Sequence, residues 1–119
     1  MTTSKFYTIV NSFLDECLET MQKKGDTYAG EGQDKFANFK RIASTFGIDQ
    51  KFVAMVYLSK HLDAIASYMR KEYNDPESIE GRIKDAINYL LIIYGMIKEG
   101  KNSVKETHCN KKGETCKQS

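Results

Sequence analysis

The chain has 119 residues, of which 40% are apolar and 29% charged, with one proline and eight glycines. That is enough chain for one domain, too apolar for intrinsic disorder and without the bias of a collagen-like or proline-rich protein. The formal net charge is +2, but residues 101–119 hold five lysines against two glutamates, which leaves residues 1–100 at −1.

A near-neutral domain argues against a nucleic-acid-binding face and leaves local cationic pairs to attract a small anion. No apolar run approaches the ~18–20 residues that span a bilayer. The longest is Tyr89-Leu90-Leu91-Ile92-Ile93-Tyr94, continued past Gly95 by Met96 and Ile97. Asp15 and Glu16 stand where a signal peptide needs a neutral cleavage region. Cys17, Cys109 and Cys116 are odd in number and irregularly spaced, so they make no disulfide framework. The expectation is a soluble cytoplasmic protein with no membrane contact.

The apolar period is helical almost throughout. In the first segment Phe6, Val10, Phe13, Cys17 and Met21 recur every three or four residues, and Ile9, Leu14 and Leu18 widen the stripe. Gly25, after Lys23 and Lys24, predicts the helix end. Gly25-Asp26-Thr27-Tyr28-Ala29-Gly30-Glu31-Gly32-Gln33-Asp34 then reads as a glycine-containing loop. Asp34 is placed to cap a short helix over 35–46, stopped by Gly47. Asp49 is a plausible N-cap for a third helix over about 50–73, with Phe52, Met55, Val56, Leu62, Ile65, Ala66 and Met69 as its apolar stripe. Pro76, or alternatively Ser78, opens a fourth helix that runs to about Glu99 and stops at Gly100. Its stripe is Ile79, Ile83, Ile87, Leu90, Tyr94 and Ile97, and Leu91, Ile92 and Ile93 make its second half apolar on several faces. That half is central in the core or part of a subunit contact. Residues 101–119 contain one sizeable aliphatic residue, Val104, and read as a disordered basic tail. The fold class is therefore all-α: an antiparallel four-helix arrangement of residues 1–100 with one short helix.

Lys60 and Asp63 lie one turn apart on the third helix, next to His61. Arg82, Asp85 and Asn88 follow at the same spacing on the fourth, with Glu80 before them and Tyr89 after. Two neighbouring helices so furnished suit a charged aromatic small molecule. Lys60 and Arg82 would hold phosphate, Asn88 a base edge, and Tyr28 or Phe39 would stack. Asp26, Tyr28 and the loop glycines would fold over the ligand, with Asn38-Phe39 behind. The competing reading makes Lys60–Asp63 and Arg82–Asp85 surface ion pairs of ~0–1 kcal/mol and the loop a plain connection. Asp63, Glu80 and Asp85 could instead share Mg²⁺, and Glu16-x-x-Glu19 could add carboxylates, against the reading of a solvated acidic face. His108, Cys109 and Cys116 fall short of a closed four-ligand zinc site. No Gly-Lys-Ser/Thr follows the glycines, so the loop is no P-loop.

Four blocks carry a family resemblance. They are Lys24-Gly25-Asp26-Thr27-Tyr28-Ala29-Gly30, Phe36-Ala37-Asn38-Phe39, Lys60-His61-Leu62-Asp63-Ala64-Ile65, and the run from Glu77 to Leu90 containing Gly81-Arg82-Ile83-Lys84-Asp85-Ala86-Ile87-Asn88-Tyr89. Over residues 5–99 the chain resembles the nucleotide modification associated domain 1 family of phages and prophages. It is more distantly similar to the all-α, Mg²⁺-dependent NTP pyrophosphatases of the MazG-like kind. The first resemblance implies association with phage nucleotide metabolism or DNA base modification. The second implies an E-x-x-E motif followed by E-x-x-D. Here Glu16-x-x-Glu19 is present, while Lys60-x-x-Asp63 and Asp85-x-x-Asn88 each lack one carboxylate. The leading expectation is a small homo-oligomeric phage or prophage protein that binds a nucleotide or nucleotide-derived signal, one version of which sequesters the ligand without turnover. The alternatives are a Mg²⁺-dependent dNTP pyrophosphatase and a helical protein-interaction module.

Overall fold

A computed structural model describes residues 1–28 and 34–105, and the side chains within 1–24 and 34–101. The chain forms four helices: α1 (Thr3–Tyr28), α2 (Ala37–Phe46), α3 (Gln50–Met69) and α4 (Ile79–Lys105). The described residues are all-helical, as the apolar period requires. Four boundaries differ from expectation, the end of α3 among them. α1 passes through Gly25 to Tyr28, and α4 passes through Gly100 to Lys105, so neither glycine ends its helix. A helical glycine costs only ~1 kcal/mol relative to alanine, and a helix already many turns long carries it. α4 thus takes in residues 101–105 of the stretch expected to be a disordered tail, and residues 106–119 lie outside the described part of the chain. α2 begins at Ala37, two residues later than expected, because Asp34 Oδ1 accepts from Phe36 N at 3.0 Å and turns the chain before the helix proper.

The helix ends follow local chemistry. Asp49 caps α3, its side chain accepting from Lys51 N at 2.8 Å. Ser78, rather than Pro76, caps α4: its hydroxyl accepts from Gly81 N at 3.0 Å. Gly47 closes α2 with φ +67°, a left-handed conformation that glycine adopts without a Cβ penalty. α3 ends at Met69, earlier than the pattern suggests. Lys71 N bonds Tyr68 O and Glu72 N bonds Ser67 O, the two bonds of a Schellman turn. Lys71 accordingly sits at φ +62°, where glycine would be the usual residue.

α3 and α4 form an antiparallel pair, with Tyr57 opposite Tyr89 and His61 opposite Arg82 and Asp85. α1 packs on α4, and α2 packs on α3. α2 also reaches α4, where Phe36 lies against Gly95. A Cβ there would come within 3.0 Å of the ring's Cζ, so the glycine allows the close approach. Lys40 then bridges Asp34 and Glu99.

The core is small and sits mainly between α3 and α4. Its buried apolar residues are Cys17, Ala43, Val53, Ala54, Leu58, Ala86 and Met96. Cys17 is fully buried, and burial pushes its thiol above the ordinary value, as suits an inert packing residue. The expected stripe of α3 is corrected: Phe52, Met55, Val56, Leu62, Ala66 and Met69 are exposed, and Val53, Ala54 and Leu58 face inward. α3 is apolar on two opposed sides, so periodicity identified a real stripe but not the one that this chain buries.

Candidate functional site: a cleft between the four helices

The end of α1, the start and first turns of α2, and the facing surfaces of α3 and α4 enclose a cleft of about 640 Å³. That volume suits a nucleotide-sized ligand. Its apolar wall comes from Met21, Ile42 and Ile92 together with aromatic rings. Tyr57 and Tyr89 stack at 5.8 Å with planes 15° apart, and His61 also stacks on Tyr89 at 5.5 Å and 23°. Phe39 meets Tyr57 and Tyr89 edge-on at 5.9 and 6.4 Å. Such aromatic pairs add ~0.5–1.5 kcal/mol each beyond burial and hold one geometry.

Asn88 lines the cleft and is 7% exposed. Its Oδ1 is buried and has no hydrogen-bond donor among the described residues. The other such atom among the described residues, Gln50 Oε1 at the start of α3, is not in the cleft lining. An orphaned buried carbonyl costs ~1–3 kcal/mol, so this position is poor for folding and good for a ligand that brings a donor.

The mouth is cationic. Lys24 lies 3.5 Å from Asp85 Oδ1. Lys35 donates only to the Met21 carbonyl at 3.4 Å, and Arg41 to Asn38 Oδ1 at 3.2 Å. Neither Lys35 nor Arg41 forms an ion pair among the described residues. Asp34 is also at the mouth, but the Lys40 ammonium at 2.6 Å, aided by Phe36 N–H, holds its carboxyl below the ordinary range and compensates its charge.

Beside the cleft runs a polar chain. Asp75 Oδ2 accepts from Arg82 Nε at 3.0 Å and from Nη2. Arg82 Nη1 lies 3.1 Å from His61 Nδ1, which in turn is 3.8 Å from Asp85 Oδ2. An arginine only donates, so Nδ1 is the acceptor and the His61 proton sits on Nε2. Burial, with Arg82 and Lys24 adding to it against the pull of Asp85, lowers the His61 pKa. The backbone N–H of Glu77, with Arg82, lowers that of Asp75. The sign of the His61 effect is definite. The unfolded chain takes up the proton near pH ~6.5 and the folded chain less readily, so stability is full above that pH and falls as pH drops toward the folded value. Thermal melts between about pH 7.5 and about pH 5.5 are expected to show this decline, and His61→Gln to flatten it.

The sequence candidates divide accordingly. Asn38, Phe39, Asp85, Asn88 and Tyr89 meet at the cleft. His61 stands behind Tyr89. Arg82 is committed to Asp75 and His61 rather than to the cleft. Lys60 is exposed, with its ammonium 5.3 Å from the Tyr57 ring centre. The side chains of Asp26 and Tyr28 lie outside the described residues. Neither Lys60–Asp63 nor Arg82–Asp85 forms an ion pair among the described residues. Asp63 and Glu80 are exposed, and no three carboxylate, histidine or cysteine side chains converge on a common point among the described residues. Glu16 is taken up by Lys84 at 3.1 Å. Asp63, Glu80 and Asp85 are not brought together as a set of Mg²⁺ ligands among the described residues. Sequence reasoning missed Lys24, Lys35, Arg41 and Tyr57. The cluster of basic residues at the end of α1 and along α2 was the signal for the first three.

No helix among the described residues is long and apolar enough to cross a membrane. No family model, curated protein or solved structure matches the chain.

Proposed function

We propose that the cleft binds a nucleotide or nucleotide-derived small molecule, as the likeness to nucleotide modification associated domains also suggests. The observation that carries the reading is Asn88, a buried amide whose Oδ1 lacks a donor in an aromatic-walled cleft. A nucleobase edge offers a donor beside an acceptor and matches an asparagine amide with two bonds. The base packs against Phe39 and the Tyr57–Tyr89 pair. Its phosphates face Lys24, Lys35 and Arg41 at the mouth, which take the role that spacing gave to Lys60 and Arg82. Both carboxylates of the lining are paired with lysines, Asp34 with Lys40 and Asp85 with Lys24, which supports holding or sequestering the ligand without turnover.

Native mass spectrometry of freshly purified protein, followed by calorimetry with nucleoside mono-, di- and triphosphates, tests the reading. A retained or titratable nucleotide recovered intact is the expected result. Arg41→Glu should weaken a triphosphate at least ~10-fold and the free nucleoside little, since the lost contact is charge-assisted and lies at the mouth. Failure of every nucleotide to bind overturns the reading, and release of pyrophosphate or monophosphate replaces it with hydrolysis.

A further inference from the structure

The exposed side of α3 carries a pattern that the cleft does not use. Phe52, Met55, Ser59, Leu62, Ala66 and Met69 are spaced alternately three and four residues apart along the whole helix, and all six are exposed. That spacing is the a/d repeat by which one helix packs against another, knobs into holes. No charge interrupts it. Its one polar member, Ser59, turns its hydroxyl onto Val56 O at 2.6 Å and so leaves the seam without an unmet polar group. We infer that this seam is a dimerisation surface and that its occupant is the same seam of a second copy, running antiparallel.

Two observations favour a second copy. First, the seam is self-complementary. A two-fold axis midway between Ser59 and Leu62 sets Phe52 against the partner's Met69, Met55 against the partner's Ala66, and Ser59 against the partner's Leu62. Large residues then meet small ones in the two inner layers, whereas a parallel pair would stack serine on serine. Second, the area suffices. Phe52 is 64% exposed, Met55 49%, Val56 59%, Leu62 50% and Met69 66%. At ~200 Å² for a fully exposed large side chain, these five offer roughly 600 Å² per copy, or about 1,200 Å² in all, the lower edge of a standard interface. Residues 106–119 offer the seam little cover, because they contain no Leu, Ile, Val, Met, Phe, Tyr or Trp.

Light scattering and sedimentation of the full chain test the proposal. The expected mass is twice the 13.6 kDa of one chain. Leu62→Glu should return the single-chain mass with helical circular dichroism retained. Ser59→Leu puts leucine against the partner's Leu62 and should tighten the dimer at least ~10-fold. On a free surface the same substitution has no effect on association, so it decides the matter even if Leu62→Glu fails to fold. A single-chain mass up to about 0.1 mM overturns the proposal. So does an oligomer whose dissociation constant Ser59→Leu leaves unchanged, and so does a monomer that instead binds lipid vesicles through this face. Nucleotide titration of the same samples keeps the outcome separate from that of the cleft.

Discussion

Asn88→Leu is expected to make the protein more stable and unable to hold its ligand. The two side chains have similar size, so the substitution keeps the packing of a 7%-exposed position while removing the orphaned Oδ1. Deleting an unmet buried carbonyl should raise stability by ~1–2 kcal/mol, read as a higher denaturant midpoint at unchanged slope. Nucleotide affinity should fall ~100-fold or more, because a base edge buried against leucine loses both bonds and leaves its own polar atoms unpaired. The opposite signs are the diagnostic feature. A purely structural asparagine, satisfied in the folded chain, would lose stability on the same change. If Asn88→Leu lowers the midpoint or leaves affinity intact, Asn88 is not the base reader.

Leu58→Ala is expected to cost ~2–4 kcal/mol, a large part of the stability of a small domain, since Leu58 is 3% exposed on the buried side of α3 and its loss leaves a cavity. Leu62→Ala, one turn later on the same helix, removes the same atoms from a half-exposed position. Its effect on the isolated chain should stay within about 0.5–1 kcal/mol, and any larger loss should depend on protein concentration through the dimer. Urea titrations of both variants at two protein concentrations separate the terms. Equal, concentration-independent losses would mean that α3 buries the stripe that periodicity alone selects.

That contrast locates where sequence reading ends. The existence, order and approximate extent of four helices follow from period and capping. Asp49 and Gly47 mark their boundaries because a side-chain cap and a left-handed turn are local events. Gly25 and Gly100 misled because a glycine terminates a helix only when the next residues leave it, and here they do not. The end of α3 misled in the opposite sense, since Lys71 adopts the left-handed position without glycine's signature. At the site, Asn38, Phe39, Asp85, Asn88 and Tyr89 were legible as polar and aromatic groups at one-turn spacing. Arg82 was legible as important but not in its role, because its partner Asp75 lies in the α3–α4 connection and its other partner His61 on another helix.

By itself, then, the sequence determined the helical class, the near-neutral charge of residues 1–100 and the polar and aromatic groups at one-turn spacing on α3 and α4. Those properties depend on residue type and on neighbours within a turn or two. Only the tertiary structure decided which of the two apolar sides of α3 is buried, which cations stand at the cleft and which are spent on internal carboxylates, and that Asn88 is enclosed without a donor. Each of these depends on what residues tens of positions away bring to the same point, and helical periodicity carries no information about that.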